Sequence, residues 1–352
     1  MAEAALKYDF EVGVYRPPSE GGSDSLLVRF TRNCPWNRCT FCAMYKTEKF
    51  SIRSPREIKK DLDAVAKIGE DLRDISEKHG QGRTISRDAV VELIGKAPDL
   101  NYHHGFAMVY NWFQSGGKNA FLQDGNSLLM KTEDLVDVLK YLRATFPSLV
   151  RVTSYARSKT LAKKSQTELD AIHAAGLDRL HIGLETGDDD LLKIVKKGVT
   201  SEGHIKGGQK SLKAGFQVSE YWMPGLGGQE MWKGHALNTA KVLNAIDPHY
   251  IRSRPFRPAP GTPLNAQYEN GEFHQLSAQG QLNELKLMME TLEVNSRVCF
   301  DHAGNYWRNR HGGNLFSQSY EGYKFPEQKP EVLSLIEEGL SANQNSMPFI
   351  RL

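Results

Sequence analysis

The stretch Ser25 to Cys42, SLLVRFTRNCPWNRCTFC, runs from an apolar segment directly into three of the chain's four cysteines. In SLLVRFTR (25–32), Leu26, Val28 and Phe30 fall on one face and Leu27 on the other, the pattern of a strand covered on both sides. The cysteines therefore occupy the loop that leaves a buried strand. Beyond them, Ser54-Pro55-Arg56-Glu57 places an N-cap serine, a first-turn proline and a glutamate three residues after the cap, which satisfies orphan amides at a helix start. Ile58, Leu62, Val65, Ile68 and Leu72 follow at steps of three or four and predict an amphipathic helix.

The alternation then repeats. Strands are expected at 120–123, 149–155, 177–185, 216–224 and 249–256, with helices at 133–146, about 160–174, 188–198, 201–213 and 229–245 between them. Six βα-type units with short links predict parallel strands joined by crossover helices. Six strands suit an open, partial (β/α)6 TIM-like barrel better than a closed one of eight. The rhythm is interrupted at about 76–118 by a helical insertion that carries His103, His104, Tyr110, Trp112 and Gly116-Gly117. Residues 1–24 read as a Gly, Pro and Ser rich lead-in, 25–260 as the barrel, and 261–352 as a C-terminal extension packed on it. The extension holds one long helix within GEFHQLSAQGQLNELKLMMETLE (271–293) and another near 330–340.

Among 352 residues, 45 are basic and 42 acidic, a net +3 that implies neither a nucleic-acid partner nor an anionic membrane. No apolar run approaches the roughly 18 residues of a membrane span. The N-terminus, MAEAALKYDFEVGVYRPPSEGG, lacks a basic start followed by an apolar run, so no signal peptide is expected. Four cysteines, three of them clustered, form no disulfide framework and point to metal or redox chemistry in a reducing, cytoplasmic setting.

The cysteine spacing is Cys34-x4-Cys39-x2-Cys42. A structural zinc site takes four tetrahedral ligands, normally from two knuckles. Here one pair is local, and the remaining cysteine, Cys299, lies far along the chain. A thioredoxin-type pair needs two cysteines at a helix start, and a third beside them would interfere with exchange. A cubane iron–sulfur cluster is held by thiolates, usually four, so three leave one iron open, as reactive metal centres require. The residues alone thus leave two readings: a zinc-stabilised module that binds a small molecule, or a cluster whose free position takes a substrate.

The loop resembles the signature of the radical S-adenosylmethionine (radical SAM) superfamily: three clustered cysteines after the first strand of a partial (β/α)6 barrel, commonly C-x3-C-x2-C with an aromatic before the last. Cys39-Thr40-Phe41-Cys42 matches the second half, with Phe41 as the aromatic, and the first gap, Pro35 to Arg38, is one residue longer. FLQDGN (121–126) stands where the family's second strand ends, in place of a Gly-Gly-Glu-like segment that meets the amino group of SAM, which implies contacts from Asp124, Gly125 and Asn126. Ser154 and Arg157 in TSYARSKTL end the third strand, where family members place groups for the methionine carboxylate and the ribose. AGLDRLHIGLETGDDDLLKIVKKGVT is similar to the fourth-strand segment of the branch that includes oxygen-independent coproporphyrinogen oxidases and Elongator-type enzymes, with Glu185 at its polar strand-end position. MPGLGG (223–228), with Gly225 and Gly227, resembles the fifth-strand glycine turn, and RPAPGTPL (257–264) the sixth-strand exit.

The resemblance implies a [4Fe-4S] cluster on Cys34, Cys39 and Cys42, with SAM on the remaining iron. Reductive cleavage of SAM would then release methionine and a 5'-deoxyadenosyl radical that abstracts hydrogen from a substrate. It also implies a reductant such as flavodoxin or ferredoxin. Some relatives modify RNA, but the balanced charge favours a small-molecule substrate. Elsewhere plainer readings hold. Cys299 is expected to be a buried apolar residue, His103 and His104 loop or core histidines, and Trp112 and Phe113 helix-packing residues. Asp188 to Asp190 read as a helix N-terminal turn, and Glu185 as a ligand contact at a strand end.

Overall fold

A computed structural model describes residues 7–20, 25–46, 48–342 and 344; residues 1–6 and 21–24 of the expected lead-in, and 345–352 of the extension, lie outside the described residues. The chain divides into two compact units. The first is built from the chain up to Pro35, from Lys49–Tyr155 and from Thr167–Arg179. It holds strands β1 (Ser25–Arg29), β2 (Thr31–Arg32), β3 (Ser51–Ile52), β4 (Asn119–Gln123) and β5 (Arg151–Ala156). β1 pairs parallel with β4 and β4 with β5, while β2 and β3 form a small antiparallel ribbon. Leu26, Leu27, Val28 and Phe30 are all buried, so β1 is covered on both faces as its pattern requires.

Helix Pro55–Lys78 opens with the expected capping box: Ser54 Oγ accepts from the Glu57 amide at 3.3 Å, and the Glu57 carboxylate accepts from the Ser54 amide at 2.8 Å. Its apolar stripe from Ile58 to Leu72 is buried, each side chain contributing about 1.5–3 kcal/mol of transfer free energy. The stripe turns inward as the helix packs on helix Thr132–Thr145. The insertion forms helices Arg87–Lys96 and Phe106–Gln114 within this same unit. Trp112 is fully buried, and its indole N–H donates to Asn119 O at 2.8 Å, so the large ring enters the core without an orphaned donor.

The second unit comprises Trp36–Glu48, Ala156–Gln166 and the chain from Leu180 onward. Its strands lie in the order β6 (Arg179–Glu185), β7 (Gln217–Trp222), β8 (Tyr250–Ser253), β9 (Arg297–Cys299) and β10 (Tyr323–Lys324). β7 pairs parallel with β8 and β8 with β9, whereas β10 runs antiparallel to β9. The α/β class expected from the sequence, parallel strands joined by helices, is the one observed. The parallel run, however, continues past β8 into the segment read as an extension.

Helix Ala278–Thr291 packs on both helix Gly228–Ile246 and helix Lys329–Ser341. Leu282 and Met288 from this helix share one hydrophobic cluster with Trp222, Leu243, Phe300 and Phe325. Cys299 is fully buried, and burial pushes its thiol up to about 12, consistent with a core residue. No helix among the described residues is long and apolar enough to cross a membrane.

One expected helix is two. The segment about 160–174 forms helices Ser158–Lys163 and Gln166–Ala174, because Lys164 leaves the helical region at ψ 145°. The shorter helix lies against helix Ser201–Lys213 at Gly207, where an added Cβ would sit 2.6 Å from the Ser158 carbonyl oxygen. Backbone cannot yield there as a flexible side chain can. Gly207→Ala is therefore expected to lower unfolding free energy by about 1–3 kcal/mol in urea denaturation; an unchanged midpoint would show that the two helices do not meet at this residue.

Candidate active site

Cys34 belongs to the first unit, and the geometry before it is set by one buried carboxylate. Asp124 Oδ2 accepts from Arg29 Nε at 2.7 Å and from the Asn33 amide at 3.0 Å, while Arg29 Nη2 donates to Asn33 Oδ1 at 3.1 Å. Asn33 adopts φ 68°, a left-handed conformation that a short amide side chain tolerates. The next residue, Gly125, donates its amide to Asn33 O at 3.2 Å, and an added Cβ there would lie 3.2 Å from Cys34 Cα. Thus Asp124 and Gly125 abut the first cysteine. Asn126, three residues past β4, and Ser154, inside β5 and not at its end, are both buried, with Ser154 Oγ donating to Tyr155 O at 3.0 Å.

The anchor extends into the lead-in. Glu11 receives Arg29 Nη1 at 3.0 Å and Arg32 Nε at 2.7 Å, and Arg53 pairs both with Glu11 at 3.4 Å and with Asp61 at 2.6 Å. Burial alone would push the Glu11 carboxyl up, but the three surrounding guanidinium groups outweigh it and hold the group below its ordinary range. Nothing in the turn-rich first 24 residues marked Glu11 as part of a network.

Cys39 and Cys42 belong to the second unit. Between them, the Thr40 amide donates to Val195 O and the Thr40 carbonyl accepts from the Leu264 amide, both at 3.0 Å. Phe41 packs against a cluster containing Leu191, Val195, Met223, Leu226, Phe256 and Leu264. Its ring is a packing anchor that fixes the loop between the two thiols. Trp36 donates its indole N–H to Lys196 O at 2.7 Å, with the Arg157 guanidinium 5.0 Å from the ring centroid. Arg157 also donates to Lys197 O at 2.7 Å, and Lys197 Nζ pairs with Glu185 Oε1 at 2.8 Å.

Burial pushes the Cys39 thiol up, while Lys197 and Arg157 pull it down and Glu185 and Cys42 oppose them. Arg157, Glu185, Lys197 and Cys39 therefore share one electrostatic neighbourhood. Lys197 was missed by sequence reading, since IVKKG looks like the solvated end of a helix; yet its side chain is only 11% exposed. Glu185 itself sits at φ 64°, uncommon for a residue with a side chain and frequent at functional strand ends.

The glycine turn after β7 is supported from the C-terminal segment. Gly225, at φ 85°, donates its amide to Glu284, which lies on helix Ala278–Thr291, and an added Cβ would meet Gln281 at 2.5 Å. Gly227 precedes helix Gly228–Ile246 and accepts from the Met231 amide at 3.1 Å. His235 ties the turn to β6, its ring nitrogens 2.8 Å from Thr186 Oγ1 and 3.0 Å from Met223 O, while the Met223 amide donates to Glu185 O at 3.0 Å. The Asp188 to Asp190 run is a helix start as expected, with Asp188 Oδ1 accepting from the Leu191 amide at 2.9 Å. His103 has a structural partner, its Nε2 lying 3.0 Å from Phe10 O.

None of the four cysteines forms a disulfide among the described residues, and no group of three or more His, Cys, Asp or Glu among them is gathered to hold a metal ion. The model of the Radical SAM superfamily matches residues 28–238, more than half of the chain. The chain belongs to the radical SAM superfamily. It is an enzyme, and the family implies SAM and an iron–sulfur cluster as cofactors.

Among solved structures, this radical SAM enzyme is similar to an N-terminally truncated archaeal Elp3 from Methanocaldococcus infernus, at 16% identity and TM-score 0.44 over 62% of this chain and 53% of that one. It is similar to methylornithine synthase at 15% identity and TM-score 0.44, covering 78% and 66% of the two chains. Coproporphyrinogen III oxidase from Escherichia coli matches at 16% identity and TM-score 0.41, covering 49% and 39%. The matched region thus spans less than two thirds of each of these chains. No curated protein sequence matches.

The buried Glu284 gives the glycine turn a pH signature. Burial raises this carboxyl from its ordinary 4.5 to about 8, against the opposing hydrogen bond from Gly225. The folded protein keeps the proton while the unfolded chain releases it, so this group's contribution is full below pH 4.5 and is lost as pH rises to about 8. In urea denaturation across that range, Glu284→Gln is expected to lose less stability than the parent as pH rises; parallel profiles would contradict the assignment.

Proposed function

We propose that the enzyme binds one [4Fe-4S] cluster through Cys34, Cys39 and Cys42 and holds SAM at the iron that no cysteine ligates. The observation that carries this reading is the donor set: three half-buried thiols outside any disulfide and within nine residues, in a chain of this superfamily. When bound and reduced by a one-electron donor such as flavodoxin or ferredoxin, the cluster supplies the electron that cleaves SAM to methionine and a 5'-deoxyadenosyl radical. The radical then abstracts hydrogen from a substrate, proposed to be a small molecule. Easily oxidised thiols in one loop support a reducing, cytoplasmic setting as part of this proposal.

The chain's own residues supply position and charge. Asp124 and Gly125 hold the backbone beside Cys34, with Asn126 just past β4 and Ser154 inside β5. Glu185 and Lys197, a carboxylate and an ammonium 2.8 Å apart, complement the two charges of an amino-acid zwitterion, and Arg157 offers a further guanidinium for a carboxylate. The Gly225–Gly227 turn, whose missing Cβ space is filled by Gln281, Met231 and His235, is proposed to present its backbone to the nucleoside.

Anaerobic iron–sulfur reconstitution followed by a dithionite assay should yield 5'-deoxyadenosine from SAM. Cys34→Ala, Cys39→Ala or Cys42→Ala should each abolish both cluster and product, and Cys299→Ala neither. Zinc in place of iron, or product formation in the loop variants, would overturn the reading.

A second test separates SAM binding from stability. A Cβ at Gly183 would lie 2.2 Å from Glu185 Oε1 and 2.9 Å from Lys197 Nζ, the movable ends of two side chains. Gly183→Ala should displace the pair at little cost in unfolding free energy and weaken SAM binding by about tenfold or more, measured by equilibrium dialysis. Unaltered SAM affinity would remove the pair from the binding site.

A further inference from the structure

On the second unit, the residues of the cysteine loop's long first gap line a cavity of about 740 Å³ that includes none of the residues assigned to SAM. Its cations are Arg38, Lys159, Lys163, Lys193, Lys196 and Lys206, and no carboxylate of the described residues lines it. Lys193 is partly answered by Asp190 at 3.0 Å. The others have no carboxylate within ion-pair reach among the described residues. In a chain whose net charge is only +3, six cations around one cavity are a local concentration that an anion would relieve.

One further feature narrows the ligand. Thr200 and Gly203 also line the cavity, but the start of helix Ser201–Lys213, to which they belong, is already satisfied, the Gly203 amide donating to Thr200 Oγ1 at 3.2 Å and the Ser201 amide to Asp189 Oδ1 at 2.7 Å. The floor is carbon-rich, built from Trp36, Ala162, Leu192 and Val199, with Arg38, Arg157 and Lys159 lying 5.3, 5.0 and 5.5 Å from the indole centroid. Trp36 is held there by its bond to Lys196 O and by Gly198, whose missing Cβ would lie 2.3 Å from the indole. A simple anion would use the cationic rim and leave this floor wet; a ligand with a flat organic ring beside several phosphate charges uses both. The volume falls in the range of small-molecule sites.

We propose that this cavity binds a free nucleotide carrying more than one phosphate, with the ring over the carbon-rich floor and the phosphates among the lysines. The site does not depend on the cluster reading, because its residues are cationic and aromatic and its test reads binding alone. The extra residue between Cys34 and Cys39 then has a use: the Pro35 to Arg38 segment that contains it supplies both Trp36 and Arg38.

Isothermal titration of the full chain, purified anaerobically, would use ATP, inorganic tripolyphosphate and a single-stranded RNA oligonucleotide as probes. ATP is expected to bind more tightly than tripolyphosphate, and tripolyphosphate to compete with it. The Lys163→Glu/Lys206→Glu double variant should weaken ATP by at least about tenfold, and the milder Lys163→Gln/Lys206→Gln pair by less. All these lysines are exposed, so the unfolding midpoints should stay near that of the parent. Lys213→Glu, at the far end of the same helix, should bind as the parent does. Failure of ATP to bind, ATP no tighter than tripolyphosphate, binding unchanged in the glutamate pair, or RNA bound in preference to ATP would each overturn the proposal.

Discussion

The first cysteine is positioned by a single buried oxygen. Asp124 Oδ2 takes one hydrogen bond from the Arg29 side chain at the end of β1 and one from the Asn33 amide in the loop that follows. A carboxylate that is 1% exposed would be costly without such partners; with them, it ties the exits of two neighbouring parallel strands together and fixes where Cys34 begins. Arg29 is held in turn by Glu11, and Glu11 by Arg32 and Arg53, so the loop geometry draws on a network that reaches back into the first residues described.

The second unit uses a different device for the same end. Cys39 and Cys42 flank Thr40, which is hydrogen-bonded on both its amide and its carbonyl, and Phe41, which is packed into an apolar cluster. Backbone pairing and one partly buried ring thus immobilise the loop that carries the two thiols. Around it, Arg157, Lys197 and Glu185 converge from three separate segments, as strand-end residues of parallel α/β proteins do. Glu185 and Lys197 neutralise each other at 2.8 Å, which lets both side chains be mostly buried.

Much of this was legible from residue order. The capping box before Ile58, the doubly buried β1 and the Asp188 helix start are local patterns, and each forms as its chemistry dictates. What escaped was of another kind. β9 is three residues long and has no periodicity to detect, so a stretch that extends the parallel strands read as extension. Lys197 and Glu11 are single charged residues in irregular segments, and their burial is decided by contacts that no local pattern shows. The break at Lys164 lies inside a pattern that is helical on both sides, where one residue's ψ decides between one helix and two.

The central claim is that three thiolates of one loop leave a cluster iron open for SAM. Mössbauer spectroscopy of the enzyme reconstituted anaerobically with labelled iron, recorded with and without SAM, tests it most directly. The account predicts that SAM changes the signal of a single iron site and leaves the remaining sites of the cluster unaltered. A spectrum indifferent to SAM, or one in which every iron already has a protein ligand, would contradict it.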